Sequence, residues 1–415
     1  MIMINDEYQK ILEKDIYDVY SKYDNLDRDV PKKLSDNFEE LKITMEKLNM
    51  TIEKFPMVEF KIFDDKVIVD DNVKKIFRNG NDDRLDHLIH MFTDAITYAK
   101  KHNQSIPVTK IYIWISDRFP YETSGINNFP IYVFSRPKDM NLPIIPDNTF
   151  YCLSLEKKYE KNCYGWNEIK QLIDEKTNNK IKEDIIYFKG TPTTKSKSQI
   201  REKLEILSDI YWEVKKHNKL TDSFIKFIND KAKRYKIDHQ FIDKWINKIP
   251  DVPLKILLDG WSSFEPVYEF AKYKYLINLP GHFPWSNRLK YLFLMKSHVI
   301  NVNVQTFGYD YTDEKYITFI DFVLTNDDYN EIIVKYYTIR KSDANFDVVG
   351  TNKKNDDEFD LFYENIRQTY LRLKSNDTES NDMIDNAYKK IDELTEDRVS
   401  QYIYKCIVLN SELGI

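Results

Sequence analysis

Short apolar runs alternate with amphipathic patterns over most of the chain after residue 102, and this alternation constrains the fold more than any other feature. The runs VTKIYIWIS, FPIYVFS, DIIYFKG, LKILLDG, KYLINL and VINVNV predict strands. The segments GWNEIKQLIDE, IREKLEILSDIYWEV, SFIKFINDKAKRY and SNRLKYLFLMKS repeat apolar residues at the three- and four-residue spacing of helices. Such alternation predicts an α/β fold with largely parallel sheets.

The strands fall into two groups, which predicts two Rossmann-like lobes with a cleft between them. We expect the first lobe at 55–180 and the second at 181–350. Residues 1–54 and 351–415 show helical spacing and predict additional helices at the two ends of the chain. Within the first lobe, VEFKIFDDKVIVDD predicts a hairpin, and residues 84–102 predict an amphipathic helix.

The composition is that of a folded protein, with 42% hydrophobic and 14% aromatic residues. Lys and Arg number 62 against 68 Asp and Glu, and no long basic block occurs, which argues against nucleic acid as a partner. The start MIMINDEYQK is polar, and no run of about eighteen apolar residues follows, so we expect no membrane span. These features predict a cytoplasmic protein, or one of a viral factory or virion if the chain is viral.

Candidate metal ligands are sparse. His87 and His90 have the i,i+3 spacing of neighbours on one helix face, but no third ligand is evident in the sequence. The DRD stretch at 27–29 lies in the N-terminal helical region, away from the strands. We therefore predict no metal site. The cysteines are odd in number, lack a CxxC pair and predict no disulfide framework: Cys152, Cys163 and Cys406.

The stretch YFKGTPTTKS, Tyr187 to Ser196, places glycine, proline, threonine and lysine directly after an apolar run. A Walker A loop requires GxxxxGK[ST], because successive backbone N–H groups wrap the phosphates. Here Gly190 is followed by four residues and then Lys195, and the second glycine is missing. Three interpretations remain: an incomplete phosphate loop, a cradle for a different phosphate compound, or an ordinary turn.

A second loop, NLPGHFPWSNRLKYLFLMKS, connects a predicted strand to a predicted helix. We expect Ser286 to cap this helix and Arg288 to lie in its first turn. A helix N-terminus with a guanidinium beside it favours a phosphate anion. The alternative is that Ser286 only caps the helix and that Arg288 pairs with a surface acid.

A third candidate is Asp117, in the stretch WISDRFPYE. It directly follows a strongly apolar strand, and carboxylates at the carboxyl ends of strands in open α/β sheets face the ligand crevice. Such a group acts as a general base when it reaches an acceptor hydroxyl. The alternative is an aspartate that only begins a turn.

Together these stretches resemble glycosyltransferase family 90, the group of protein O-glucosyltransferases and capsule-associated xylosyltransferases. KYKYLINLPG…SNRLKYLFLMKS is similar to one block of that family, and IIYFKGTPTTKSKSQIREKLEIL is similar to a second block that precedes it. Further upstream, VEFKIFDDKVIVDD, RLDHLIHMFTDAI, KIYIWISDRFP and FPIYVFSRP follow in the family's order. The resemblance spans roughly 55–345, and it departs from the family's pattern at Pro192 and Pro280.

The resemblance implies a GT-B fold and an inverting reaction that requires no metal ion and no tightly bound cofactor. It implies UDP-glucose or UDP-xylose as the donor, held by the second lobe, and a hydroxyl of a protein or glycan as the acceptor. Asp117 matches the catalytic base of the family. The residues that would bind the donor are Lys189, Gly190, Thr191, Thr193, Arg201, Gly281, Ser286 and Arg288. The alternative is a catalytically degenerate member that binds UDP or a glycan, or that has a structural role.

Overall fold

The computed structural model describes most of the chain in separate segments. The described residues are 7–23, 25–34, 57–79, 83–115, 128–138, 140–153, 163–177, 181–192, 199–258, 265–280, 288–307, 316–325, 327–337 and 352–415. The helices are α1 (Glu7–Tyr20), α2 (Asp71–Asn79), α3 (Arg84–Lys101), α4 (Trp166–Thr177), α5 (Ile200–His217), α6 (Asp222–Tyr235), α7 (His239–Lys248), α8 (Leu289–Leu294), α9 (Asn352–Ser375), α10 (Asp377–Glu393) and α11 (Glu396–Glu412). The strands are β1 (Met57–Phe63), β2 (Lys66–Ile68), β3 (Thr109–Trp114), β4 (Ile131–Tyr132), β5 (Ser135–Pro137), β6 (Glu183–Lys189), β7 (Leu254–Leu257), β8 (Tyr273–Asn278), β9 (His298–Phe307), β10 (Tyr316–Thr318) and β11 (Asn330–Tyr337).

The larger sheet has five strands in the order β11-β9-β8-β6-β7, and every neighbouring pair is parallel. The chain adds β7 on one side of β6 and then continues with β8, β9 and β11 on the other side. The strand order therefore reverses between β6 and β8. In open parallel sheets, ligands bind at the carboxyl ends of the strands at such a switch point. The α/β class predicted from the sequence is confirmed.

Both faces of this sheet are buried, as parallel sheets require. One face packs against α5, α6, α7 and α9, through side chains such as Leu207, Trp245 and Tyr363. The other face packs against α4, α8 and α10, and its core is continuous with the core beneath the smaller sheet. The larger sheet therefore lies between two helical layers.

The smaller sheet has the order β2-β1-β3-β4. The predicted hairpin is confirmed: β1 and β2 are antiparallel, and the turn residues Asp64 and Asp65 have φ values of 50° and 55°. Two positive φ values suit the tight right-twisted turn of a two-residue hairpin. The expectation of a parallel sheet fails here, because β1 and β3 are also antiparallel and only β3 and β4 pair in parallel.

The C-terminal helix α11 returns to the smaller sheet, where it packs on α1, α3 and β3. Tyr402 is fully buried and donates a 2.7 Å hydrogen bond to the carbonyl of Ile144. Asn410 donates a 3.0 Å hydrogen bond to the hydroxyl of Thr109, which in turn donates 2.9 Å to the terminal residue Ile415. The last helix of the chain is therefore part of the core that includes the first strands.

The two sheets are joined by a short antiparallel pair, in which β5 lies beside β10 with Arg136 opposite Ile317. The segment after β4 leads directly into β5, and β10 is the next described strand after β9. β5, which follows β4, and β10, which follows β9, therefore lie side by side.

A second connection is a buried ion pair. The ammonium of Lys290, on α8, lies 2.7 and 2.9 Å from the two carboxylate oxygens of Asp147, in the segment after β5. The same ammonium donates a 2.7 Å hydrogen bond to the hydroxyl of Thr149, and Tyr291 donates one of 2.9 Å to the Thr149 carbonyl. Burial lowers the pKa of Lys290 in spite of its partner. Such a pair needs both members, because either charge alone would be buried without compensation.

The variant Asp147→Ala is expected to lose about 3–5 kcal/mol of unfolding free energy, because it leaves the Lys290 charge buried without a counter-ion. Urea unfolding followed by circular dichroism measures this loss. The double variant Asp147→Leu with Lys290→Met is expected to recover most of it, since apolar side chains of similar volume often replace a buried pair without loss. As a control, Asp86→Ala breaks an exposed pair with Arg78 and should cost less than about 1 kcal/mol. Equal losses for Asp147→Ala and Asp86→Ala would contradict the structural role of the buried pair.

The outer edge of β7 is covered by side chains of α5. Ser208 accepts a 3.2 Å hydrogen bond from the Ile256 amide and donates one of 3.0 Å to the Leu254 carbonyl. Trp212 and Glu205 lie one helical turn after and before Ser208. Trp212 donates a hydrogen bond of 2.6 Å to the Leu254 carbonyl, and Glu205 accepts one of 2.9 Å from the Leu258 amide. The Leu254 carbonyl and the Ile256 and Leu258 amides on this edge are therefore paired within the chain.

The prediction for the cysteines is wrong at two positions, because Cys152 and Cys163 form a disulfide. Their α-carbons are 5.2 Å apart, well within the range for a disulfide. The reason lies in the neighbouring backbone: Leu153 and Tyr164 exchange hydrogen bonds of 3.0 and 3.2 Å and so bring the two cysteines together. Cys406 is a free thiol in the core.

Candidate functional site at the strand switch point

Arg201 spans the switch point between β6 and β8. It lies in the first turn of α5. Its guanidinium donates a hydrogen bond of 2.9 Å to the Thr191 carbonyl and one of 3.0 Å to the Leu279 carbonyl. Thr191 follows β6 and Leu279 follows β8, so one side chain holds together the two loops that leave these strands. The guanidinium also packs on the Phe188 ring, 4.9 Å from its centroid.

Arg288 reaches the same place from the opposite helical layer. Its guanidinium donates 2.8 Å to the carbonyl of Lys189 and lies 4.7 Å from the centroid of Phe188. Burial, and then the positive charge of Arg201, lower the pKa of Arg288 to about 9. No carboxylate of the described segments forms an ion pair with Arg288. Two guanidinium groups therefore share one aromatic ring at the carboxyl edge of the sheet, where a bound anion would offset the repulsion between them.

Gly190 allows this arrangement. A β-carbon at this position would lie 2.8 and 2.9 Å from two ring atoms of Phe188, and 3.5 Å from a guanidinium nitrogen of Arg201. Any other residue would therefore move the ring on which both arginines pack. The glycine of the stretch YFKGTPTTKS is thus required by close packing of a side chain, whatever the loop binds.

Lys189 and Glu265 lie on the other face of β6, at the same edge. The Lys189 ammonium is 3.6 Å from the Glu265 carboxylate. This carboxylate also accepts a hydrogen bond of 2.5 Å from the Tyr187 hydroxyl and one of 2.9 Å from the Lys272 ammonium. Partial burial opposes ionisation of Glu265, but the hydrogen bonds from Tyr187 and Lys272 outweigh it and lower its pKa. Glu265 is therefore a carboxylate at neutral pH.

The structure places part of the predicted site together. Lys189, Gly190, Thr191, Arg201 and Arg288 meet at the switch point, as described above. The other predicted site residues lie outside the described residues: Asp117, Thr193, Gly281 and Ser286.

Two features of the predicted loops differ in the structure. The helix expected from Ser286 begins at Leu289, and Arg288 precedes it instead of lying in its first turn. Because α8 has only six residues, its dipole adds little, and the positive charge of the site comes from side chains. Phe188 and Glu265 were not predicted from the sequence, since an aromatic residue in a strand and a glutamate before a proline match no known site pattern.

The histidines considered for a metal site have other contacts. The His87 ring lies 3.4 Å from the Asn148 amide, and His90 stacks on Tyr151 with 4.6 Å between ring centroids. Over the described ranges, no group of three or more His, Cys, Asp or Glu side chains could hold a metal ion. Within the same ranges, no helix has the length and apolar character needed to cross a membrane.

No protein-family model matches this chain, and no curated protein sequence matches it either. What the arrangement offers is a pair of guanidinium groups at the carboxyl edge of a parallel sheet, with an ionised carboxylate close by.

Proposed function

We propose that this protein is an inverting glycosyltransferase of the GT-B type, which transfers glucose or xylose from a UDP-sugar to a hydroxyl of a protein or glycan. The observation that carries the proposal is the convergence of Arg201 and Arg288 at the switch point of a parallel sheet, where nucleotides commonly bind. A nucleotide diphosphate leaving group needs positive charge, and these guanidinium groups would supply it without a metal ion. The sequence resemblance to glycosyltransferase family 90 supplies the reaction type.

The proposed base is Asp117, which in the sequence follows the last residue of β3, Trp114, by three positions. β3 and β4 are parallel, so their carboxyl ends lie at the same edge of the smaller sheet. β5 follows β4 at this edge, and it pairs with β10. β10 in turn follows β9 of the larger sheet. This connection supports a reaction site between the carboxyl ends of the two sheets, with the acceptor hydroxyl near Asp117 and the donor phosphates near Arg288.

The proposal is tested by offering UDP-glucose, UDP-xylose, UDP-galactose, UDP-N-acetylglucosamine and GDP-mannose to the purified protein, with and without EDTA. Thermal unfolding measures binding, and release of UDP measures turnover. We expect at least one UDP-sugar to raise the melting temperature and to release UDP in the presence of EDTA. Binding of a UDP-sugar without release of UDP from any donor would favour the alternative of a degenerate, nucleotide-binding member. Binding of no nucleotide sugar would overturn the proposal.

Arg288→Ala is expected to lower the affinity for UDP by roughly 10- to 100-fold, because it removes a charged hydrogen-bond donor from the diphosphate. Arg288→Lys should have an intermediate effect, since lysine keeps the charge but not the planar fork. Isothermal titration calorimetry with UDP measures both. The matched control is Arg367→Ala, which removes an exposed guanidinium paired with Asp251 and should leave UDP binding unchanged. Unchanged UDP affinity in Arg288→Ala would contradict the assignment of the phosphate site.

A further inference from the structure

The disulfide between Cys152 and Cys163 joins two segments whose backbones pair at an isolated bridge. This bridge consists of the two hydrogen bonds between Leu153 and Tyr164 and lies outside the strands of the sheets. The cysteines are 11 positions apart, and a cross-link that closes a loop of this length contributes at least as much to stability as two such hydrogen bonds. The disulfide is therefore a main local restraint on the separation of the two segments.

One end of this disulfide lies at the surface. Cys163 is exposed and Cys152 is half-buried, whereas the third cysteine, Cys406, is buried in the core. Thiol–disulfide exchange requires that a thiolate reach one of the two sulfurs, so access decides which disulfides are reduced. Exposed disulfides are as a class more readily reduced, and more often regulatory, than buried ones. We therefore expect a reductant to attack the sulfur of Cys163.

Both segments that the disulfide joins contact the start of α8. In the first segment, the Thr149 hydroxyl accepts a hydrogen bond of 2.7 Å from Lys290, and the Thr149 carbonyl accepts one of 2.9 Å from the Tyr291 hydroxyl. In the second segment, the Trp166 ring packs on the Tyr291 ring, with 5.8 Å between the centroids. The disulfide thus cross-links two segments that together hold the first residues of α8.

Arg288 immediately precedes α8, and its backbone is bonded to this helix. The Arg288 carbonyl accepts hydrogen bonds of 2.9 Å from the Tyr291 amide and of 3.3 Å from the Leu292 amide. Its guanidinium donates a hydrogen bond of 2.8 Å to the carbonyl of Lys189, at the carboxyl edge of the larger sheet. A shift of the first turn of α8 would therefore move the Arg288 backbone and change where its guanidinium lies at that edge.

We propose that the Cys152–Cys163 disulfide is a reversible thiol-exchange site, and that its reduction by a dithiol loosens the first turn of α8 and weakens anion binding at Arg288. The effect on anion binding rests on the proposed function, because it takes Arg288 as part of the diphosphate site. The oxidised protein is then the form that binds a nucleoside diphosphate more tightly. Since coupling between two sites is reciprocal, a bound nucleoside diphosphate shifts the redox equilibrium toward the disulfide.

The reduction consists of two exchange steps. A thiolate of the dithiol attacks the sulfur of Cys163, the bond between the two cysteine sulfurs breaks, and Cys152 leaves as a thiolate. The second thiolate of the dithiol then attacks the mixed disulfide, closes the disulfide of the reductant and releases Cys163 as a thiolate. The protein gains two electrons and two protons, which the dithiol loses. Exchange with the oxidised form of the same reductant restores the disulfide.

The test compares the oxidised protein with the protein reduced by dithiothreitol, the dithiol used as the probe. Thiol titration of the denatured chain verifies the two states, with one thiol in the oxidised form and three in the reduced form. Reduction should speed hydrogen exchange of the Tyr291 and Leu292 amides roughly 5-fold or more, measured by mass spectrometry on peptides of α8. Peptides of α7, on the opposite face of the larger sheet, should keep their exchange rates. The affinity for UDP, measured by calorimetry, should fall roughly 5- to 50-fold.

The matched control is the double variant Cys152→Ser with Cys163→Ser, which retains Cys406 and has no disulfide to reduce. It should resemble the reduced wild type and should not respond to dithiothreitol, because the response requires both cysteines. If the double variant does not fold, Cys163→Ser alone changes an exposed position and carries the same expectation.

The outcomes separate this inference from the proposed function. Equal exchange rates of α8 in the two redox states would overturn the inference and leave the proposed function standing. Faster exchange of α8 with an unchanged UDP affinity, or a response of the double variant to dithiothreitol, would overturn it as well. If UDP binds neither redox state, the proposed function fails, and the exchange rates of α8 alone decide whether the disulfide holds this helix.

Discussion

Asp117→Ala is expected to lower the rate of sugar transfer by a factor of about 10²–10⁴, the contribution that a positioned general base makes. The acceptor hydroxyl must lose its proton as it attacks the anomeric carbon, and Asp117 is the proposed acceptor of that proton. UDP affinity should stay within about twofold of the wild type, because the phosphates would bind to arginines of the larger sheet. Initial rates at saturating donor, together with calorimetry of UDP binding, separate the two quantities.

Asp117→Asn is the closest variant in shape and is expected to be as inactive as the alanine variant, since an amide does not accept the proton. Asp86→Ala serves as the control, because it removes an exposed carboxylate of α3 from the same region of the chain. It should keep the wild-type rate. Transfer that persists in both Asp117 variants would exclude Asp117 as the base while leaving the nucleotide site untouched.

Deletion of residues 396–415 is expected to abolish cooperative folding. The apolar side chains of α11 that become unavailable to the core are Val399, Tyr402, Ile403, Cys406, Ile407 and Leu409. At about 1.5–3 kcal/mol for each fully buried side chain, their combined contribution is about 10 kcal/mol or more. This is comparable with the whole stability of a typical protein, about 5–15 kcal/mol. Near-ultraviolet circular dichroism and thermal unfolding of the truncated chain measure the effect.

A single substitution in α11 tests the same contribution on a smaller scale. Ile403→Ala keeps the helix but removes one fully buried side chain, and it should cost about 2–5 kcal/mol of unfolding free energy. Leu371→Ala, at a 41% exposed position of α9, should cost less than about 1 kcal/mol. A truncated chain that still unfolds cooperatively near the wild-type temperature would show that α11 is an addition to the fold and not a part of it.

Local patterns predicted most of the elements of the fold. The apolar spacing of residues 84–102 corresponds to α3, and the alternation on both sides of Asp64 and Asp65 corresponds to the β1–β2 hairpin. These succeed because spacing and turn chemistry are local properties of the chain. β11 and α7 were not among the predicted elements, although both have apolar residues at regular spacing.

The long-range features could not be predicted from the sequence. The antiparallel pairing of β1 with β3 joins strands that a helical segment separates, and the sequence of each strand is compatible with either direction. The return of α11 to the smaller sheet depends on which apolar faces match in three dimensions. The disulfide between Cys152 and Cys163 depends on a backbone pairing that neither cysteine determines.

In the candidate site too, local features were predicted from the sequence and long-range contacts were not. Gly190 and Arg288 were identified because glycines and arginines in strand-to-helix loops carry chemical meaning by themselves. Their arrangement around Phe188 depends on Arg201, which reaches the ring from a helix on the other side of the sheet. No sequence pattern identifies Glu265 as a site residue, and its hydrogen bond with Tyr187 joins positions 78 residues apart.

The covering of β7 by α5 has a consequence for how copies of this protein meet one another. A sheet can grow from one molecule into the next only where an edge strand offers unpaired amide and carbonyl groups. At β7 the Leu254 carbonyl and the Ile256 amide are already bonded to Ser208 and Trp212, and the adjacent Leu258 amide is bonded to Glu205. An incoming strand would have to break these intramolecular bonds before it could form its own. Fibril-like extension and strand exchange through this edge are therefore disfavoured as long as α5 stays folded from Glu205 to Trp212.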